Sequence, residues 1–355
     1  MSRFLTEKLK SLEPYTPGEQ PQIKNLIKLN TNESPFPTSK KAVRMAYKAA
    51  KELQLYPDPE CKSLNEKLAK IYGIDPDEIL VTNGSDEILN FAFMAFCDKD
   101  KGAVFPDITY GFYKVFADLN GVPYREIPLN EDFTINLGDY NKNSETIFIA
   151  NPNAPTGIFI KPEMLEEVLT KNPDCIVVID EAYVDFGNQS AIPLIKKYDN
   201  LLVTGTFSKS RSMAGARLGF GIASKAIIKD LNAIKYSTNP YNINKMTMAA
   251  GLGVLEDEAY TKKNCDLICK IRDYTKEKLS DLGFLVTDSK ANFIFAKHPK
   301  ISGEKIYNEL RKRGILVRHF KGERICEYNR ITVGTKKQMD KLIAALTAII
   351  KEEEK

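Results

Sequence analysis

The amino-acid sequence predicts an α/β protein: a large domain with a mostly parallel central sheet covered by helices, followed by a smaller α+β domain. Two observations carry this. From residue 79 onward, short continuous apolar runs alternate with stretches of helical spacing, as strands buried on both faces of a parallel sheet do. Near residue 246 that rhythm gives way to shorter strands between helices, closed by the amphipathic tail TKKQMDKLIAALTAII. The 355 residues suffice for one large domain or two ordinary ones.

The opening segment, through LIKLNTNESPFPTSK, is rich in proline and turn formers and reads as an extended arm. Helical spacing follows in SKKAVRMAYKAAKEL and KSLNEKLAKIYG, with the proline-studded loop QLYPDPE between them. The core strands are then ILVT (79–82), GAVF (102–105), TIFIA (146–150), CIVVID (175–180), LLVTGT (201–206) and LGFGIA (218–223). After a helical stretch around 246–282 come FLVT, NFIFAK, ILVRHF and RITVGT. The expected division is an arm and part of the small domain at 1–46, the large domain at 47–245 and the small domain at 246–355.

Composition excludes several classes. The net charge is +4 and dispersed, which gives no case for nucleic-acid binding. The amino-terminal segment lacks an apolar signal core and no run approaches a membrane span, so a cytoplasmic protein without membrane contact is expected. Six cysteines without close pairing fit a reducing compartment, and Cys265 and Cys269 read as two buried thiols rather than ligands. With only two histidines, a His-rich metal site is not expected, and no metal is assigned.

Ligands of open parallel sheets bind beyond the carboxyl ends of the strands, so the residues after each strand are the candidates. After ILVT comes Asn83-Gly84-Ser85-Asp86. Its backbone N–H groups suit a phosphate at a helix start, although an ordinary cap by Ser85 or Asp86 has the same look. After GAVF, Tyr110 suits stacking on a planar ligand or plain core packing. After TIFIA, NPNAPTG is a turn able to face a ligand. Asp180 closes an apolar strand. Burying it is costly, so a cationic partner is expected, either a structural ion pair or a ligand. Lys209 follows a buried strand, where burial favours a nucleophilic amine. Each signal is weak alone. In order along the strand ends, they suit one ligand, a phosphorylated pyridine aldehyde: an amine for a Schiff base, an acid for the ring nitrogen, and hydroxyls, N–H groups and an arginine for the phosphate.

The motifs resemble the fold-type I pyridoxal-phosphate aminotransferases, and most closely the histidinol-phosphate aminotransferase family. The resemblance runs from LEPYTPGEQP and IKLNTNESPFP through YPDP, VTNGSDE, TYGFY, NPNAPTG, VVIDEAYVDF, TFSKS, AGARLGF and VRHF to NRITVGT. It implies pyridoxal 5'-phosphate as cofactor, with Lys209 as the Schiff-base lysine, Asp180 at the pyridine nitrogen, and Tyr183 as donor to the ring hydroxyl. It also implies Tyr110 as the stacking ring, and Gly84, Ser85, Asp86, Thr206, Ser208 and Arg217 around the phosphate. Tyr56 would reach the cofactor phosphate of a second subunit, making the active unit a homodimer. Arg330 and Arg318 would hold the anionic end of the substrate, and Tyr15 of the arm would fold over it.

Two departures stand out. Relatives often carry Asn directly before Pro-Thr-Gly, where this chain has Ala154; either Asn153 substitutes or Tyr183 acts alone. After Lys209 the chain reads Ser210-Arg211-Ser212 instead of Ala-Phe-Gly, and Arg211 is expected to be solvated. The implied reaction is transamination of L-histidinol phosphate with 2-oxoglutarate, giving imidazole acetol phosphate and glutamate, in histidine biosynthesis. Within the superfamily the rivals are an aromatic or broad-specificity aminotransferase and a threonine-phosphate decarboxylase. A nicotinamide dehydrogenase would need a G-x-G-x-x-G turn opening a strand–helix unit, and none is present. A non-catalytic regulator would need a spare binding module, for which the chain has no segment.

Overall fold

The structure, a computed structural model, describes residues 2–10, 12–21 and 25–354, the side chain of Glu7 excepted. Met1, Ser11 and residues 22–24 of the expected arm, and Lys355, lie outside it.

A seven-stranded sheet forms the core. Across it the order is Ile79–Thr82, Gly219–Ala223, Leu201–Thr206, Val177–Asp180, Thr146–Ala150, Ala103–Pro106 and Tyr124–Ile127. Gly219–Ala223 is antiparallel to both neighbours and the remaining pairings are parallel. Alternate residues of each central strand serve opposite faces. Ile147, Ile149, Val177, Ile179, Leu201 and Val203 enter one core cluster, while Phe148, Val178 and Leu202 enter the other. Apolar side chains pointing both ways explain why these strands read as unbroken apolar runs. The sequence pattern does not mark Tyr124–Ile127 as a strand. It is an edge strand whose first two residues are exposed, so it lacks the apolar run.

The parallel strands end together, which brings residues 82, 150, 180 and 206 to one edge of the sheet. Because Gly219–Ala223 runs the other way, its amino-terminal end, led by Arg217, arrives at that same edge.

A second, antiparallel sheet, ordered Arg318–His319, Asn329–Thr332, Phe293–Lys297, Leu285–Val286, has its own core. The strand Ile27–Lys28 pairs with Ile315–Leu316, tying the amino-terminal segment to this smaller unit. Two helices flank the expected large domain, one at its start and one at the expected seam near 246. The helices Lys40–Ala49 and Lys245–Leu255 pack together, and Met248, Ala250, Val254 and Leu255 join the core of the large sheet. Both helices thus pack with the large sheet's core. The expected helical stretch of 246–282 is two helices, Lys245–Leu255 and Glu258–Asp281. Among the described residues, no helix is long and apolar enough to cross a membrane.

Candidate active site

A cavity of about 410 Å³ opens at the shared strand edge, lined among others by Ser85, Asp86, Tyr110, Asp180, Tyr183, Thr206, Ser208, Lys209 and Arg217. Residues from strand ends far apart in sequence meet there because the sheet aligns those ends.

Asp180 is 4% exposed, yet it has no cation among the described residues. Two hydroxyls donate to it instead, Tyr113 Oη at 3.1 Å and Thr204 Oγ1 at 3.1 Å. The expected protein cation is absent, and this corrects the structural ion-pair alternative. Burial pushes the Asp180 carboxyl up to about 6, with the two hydroxyl bonds holding it back. A carboxylate in such a place fits a ligand that carries its own proton donor, such as a protonated ring nitrogen. Neither hydroxyl partner is among the candidates the sequence singles out. Thr204 has a signal: it sits directly beside Asp180 in the strand register. Tyr113 lies three residues after Tyr110, in the first turn of the helix Phe112–Asn120.

Lys209 points its Nζ at the carbonyl of Thr31, 3.3 Å away, and over the Tyr183 ring, 5.7 Å from its centre. No carboxylate pairs with it among the described residues. The Tyr183 hydroxyl accepts from Asn32 Nδ2 at 2.9 Å, and Asn32 Oδ1 accepts from Thr332 at 3.1 Å. The buried Asn32 thus fixes the phenol from the small unit, another residue sequence reasoning missed.

The opposite end of the cavity is built for an anion. The helix Ser85–Phe96 presents its free backbone N–H groups, and Thr206, Ser208 and Arg217 add donors. Thr206 and Ser208 hydroxyls lie 3.0 Å apart. Gly84 has a left-handed φ of 77°, and a Cβ there would stand 2.6 Å from Arg217 Nη2. Only glycine lets the guanidinium lie against this turn. Asp86 holds two of the other residues in place: Arg217 Nη2 at 2.9 Å and the Tyr110 hydroxyl at 2.6 Å. The donor set, with an anion seat at one end and a lone carboxylate and amine at the other, fits the expected pyridoxal phosphate.

Arg330 and Arg318 lie on the small-unit side. Arg330 stands over the rings of Phe293 and Phe320, gives Nη2 to the Asn30 carbonyl at 3.1 Å, and leaves a buried Nε without a partner. Burial draws its pKa below the usual guanidinium value. Arg318 donates to the arm carbonyls of Thr16 and Pro17, at 3.2 and 3.4 Å. Tyr15 stacks on Phe112 with ring centres 4.2 Å apart.

Three residues singled out in the sequence stand outside this cavity. Asn153 does not line the cavity. Its amide nitrogen goes to Ile108 O and Thr156 Oγ1, and its oxygen accepts from Thr109, so it ties its loop to residues 108–109 while Ala154 lines the cavity. Tyr56 is 79% exposed and stacks on Tyr241, away from the cavity of its own chain. Arg211 is not solvated: it pairs with Asp185 at 2.9 Å, reaches Tyr72 Oη at 3.4 Å and lies over Phe207. Its side chain is 11% exposed, so it is a structural cation.

The family description "Aminotransferase class I and II" matches residues 24–346. A histidinol-phosphate aminotransferase of Brachyspira hyodysenteriae is 49% identical over 99% of this chain and 100% of that protein. One from Clostridium beijerinckii is 45% identical over 100% of this chain and 99% of its own. The crystal structure of the histidinol-phosphate aminotransferase from Clostridium acetobutylicum superposes with a TM-score of 0.85 at 28% identity, covering 92% of this chain and 100% of that one. That from Sinorhizobium meliloti, in complex with pyridoxal-5'-phosphate, gives a TM-score of 0.89 at 24% identity over 99% of both chains, and so speaks to the fold alone. With a lysine and a buried carboxylate in one cavity beside an anion seat, and matches spanning nearly every residue, the chain belongs to the class I and II aminotransferases.

Proposed function

We propose that this protein is a cytoplasmic, homodimeric, pyridoxal-phosphate-dependent aminotransferase. It exchanges the amino group of L-histidinol phosphate with 2-oxoglutarate, giving imidazole acetol phosphate and glutamate in histidine biosynthesis. One observation carries the chemistry: among the described residues Lys209, an amine without a carboxylate partner, shares a cavity with Asp180, a buried carboxylate without a cation. The full-length likeness to histidinol-phosphate aminotransferases, 49% identical in one case and 45% in another, supports the substrate.

Bound in this cavity, pyridoxal 5'-phosphate supplies a sink for the electron pair left when the substrate's α-carbon loses its proton, and a store for the amino group. The residues of the chain do the rest. Lys209 Nζ takes up the α-carbon proton and returns it on the other side of the exchange. Asp180 holds a proton on the ring nitrogen, its charge kept in place by Tyr113 and Thr204. Tyr183, fixed by Asn32, donates to the ring hydroxyl without help from Asn153. The Ser85 N–H, the Thr206 and Ser208 hydroxyls and Arg217 would hold the phosphate, and Tyr110 would stack on the ring; all of them line the cavity. Arg330, with Arg318, binds the phosphate of one substrate and the distal carboxylate of the other; a planar fork suits both. Tyr15 closes over them.

The dimer reading is supported by an exposed apolar surface. Tyr56, Leu55, Leu53, Tyr47 and Val43 are each more than half exposed. Tyr56 crosses to the partner's phosphate seat. Mixing Lys209→Ala and Tyr56→Phe subunits tests this. Mixed dimers carry one complete site and should regain activity neither parent has; no regain removes the shared site.

The substrate is tested by following glutamate formation from 2-oxoglutarate with L-histidinol phosphate, phenylalanine or O-phosphothreonine. Preference for histidinol phosphate is expected. Equal or better use of phenylalanine makes the protein an aromatic aminotransferase, and carbon dioxide release from phosphothreonine makes it a decarboxylase.

A further inference from the structure

Residues 15–20 form a strap that ends at Gln20 in the cavity lining, and most of its fastenings are on the small unit. Gly18 lies flat on the chain: a Cβ there would stand 2.7 Å from Thr31 Cγ2. Asn30 Nδ2 donates to the Glu19 carbonyl at 2.8 Å, while the Asn30 carbonyl accepts from Arg330 at 3.1 Å. Arg318 holds the carbonyls of Thr16 and Pro17. The same segment 30–31 therefore carries the strap on one side and, through Thr31 O and Asn30 O, touches Lys209 and Arg330 on the other.

The only side chain of the strap that closes an ionic contact is Glu19, among the described residues. Its carboxylate accepts from the Tyr307 hydroxyl and from Arg311 Nε at 3.2 Å, both on the helix Gly303–Lys312. Those bonds hold its carboxyl below the usual glutamate range, the Tyr307 bond foremost among the lowering causes. On either side of this fastening lie Gln20, which lines the cavity, and Tyr15, which stacks on Phe112 of the large unit. Nothing in the exchange chemistry requires a carboxylate at position 19, which is about half exposed and engages the small-unit helix rather than the cavity.

We propose that Glu19 is a positioning residue for substrate capture: by clamping the strap to Tyr307 and Arg311 it holds Gln20 and Tyr15 over the bound amino donor. It touches neither substrate nor cofactor. Its effect is on how often the strap is closed, and so on the apparent affinity for substrate rather than on the rate of the exchange itself. The inference rests on the aminotransferase reading for its substrate, and the readouts separate the two.

The test compares Glu19→Gln, Glu19→Ala and Tyr307→Phe in the cofactor-loaded protein, with steady-state kinetics on L-histidinol phosphate and hydrogen exchange of residues 12–20. Two half-exposed contacts, one of them ionic, correspond to a rise in KM of about 3–10-fold. Glu19→Gln and Glu19→Ala should show that rise with kcat and the visible cofactor band unchanged. Exchange across 12–20 should quicken, and Tyr307→Phe should give a smaller change in the same direction. An unchanged KM in the glutamate variants overturns the clamp. So does a fall in kcat together with loss of the band, which would mark a general structural role. Wild-type protein that shows the band but does not use histidinol phosphate overturns the substrate reading instead; faster exchange in the variants would then still support the clamp.

Discussion

Asp180→Asn changes one atom's chemistry in the floor of the site and separates two effects. In the wild type the carboxylate is buried, bonded by Tyr113 and Thr204, and pushed up to about 6 by burial. It is therefore largely ionised at a pH of about 7.5. In the proposed role its charge would face a protonated ring nitrogen when the cofactor is bound. A unit charge pair about 4 Å apart at an effective dielectric near 20 is worth ~4 kcal/mol. Losing it should slow proton removal from the substrate by about a thousandfold, at ~1.36 kcal/mol per tenfold. The assay is a single-turnover exchange in cofactor-loaded protein, followed in the visible. Without cofactor the sign reverses. A carboxyl raised from 3.8 to about 6 binds its proton more tightly folded than unfolded, so stability falls as pH rises through that window. That rise corresponds to roughly 3 kcal/mol of stability lost once the group is ionised. The cofactor-free Asn variant should then melt no lower than wild type at the same pH. A single-turnover rate within about tenfold of wild type refutes the pairing of Asp180 with a ring cation.

Further expectations concern other parts of the site. Glu181, buried and bonded to Ser190 and the Ala191 N–H, is pushed by burial up to about 8. Wild-type stability should fall as pH rises from about 4.5 to 8, and Glu181→Gln should flatten that slope in melts across the range. Gly84→Ala forces a left-handed φ and a methyl into Arg217 Nη2; cofactor affinity by titration should weaken about tenfold or more, with the fold retained. Arg330→Lys replaces a planar fork with a point charge, and KM for both acidic substrates should rise at least about tenfold, kcat changing less.

The strand ends are legible in the sequence because a strand buried on both faces must be apolar throughout, and a polar residue at its end then stands out. Asp180, Lys209 and Arg217 are visible that way. Their supports are not. Asn32 meets Tyr183 across 151 positions, and Arg211 meets Tyr72 across 139, contacts set by tertiary packing with no local periodicity. Arg211 reads as solvated because its acid, Asp185, stands in a different loop. Asn153 carries the right chemistry in the right motif, but its amide is taken up by Ile108 O, Thr156 Oγ1 and Thr109 Oγ1. The helix Lys245–Leu255 is apolar on most sides, and composition cannot say which core it joins; in the structure Met248, Ala250, Val254 and Leu255 join that of the large sheet.

The most direct measurement of the central claim is the half-exchange. Purified protein is loaded with pyridoxal 5'-phosphate and given L-histidinol phosphate without any keto acid. The visible absorption should appear on loading and vanish with one equivalent of histidinol phosphate, faster than with phenylalanine, and 2-oxoglutarate should restore it. Lys209→Ala should not form the band. A band that forms equally in Lys209→Ala, or a wild-type band that histidinol phosphate leaves untouched, contradicts the account.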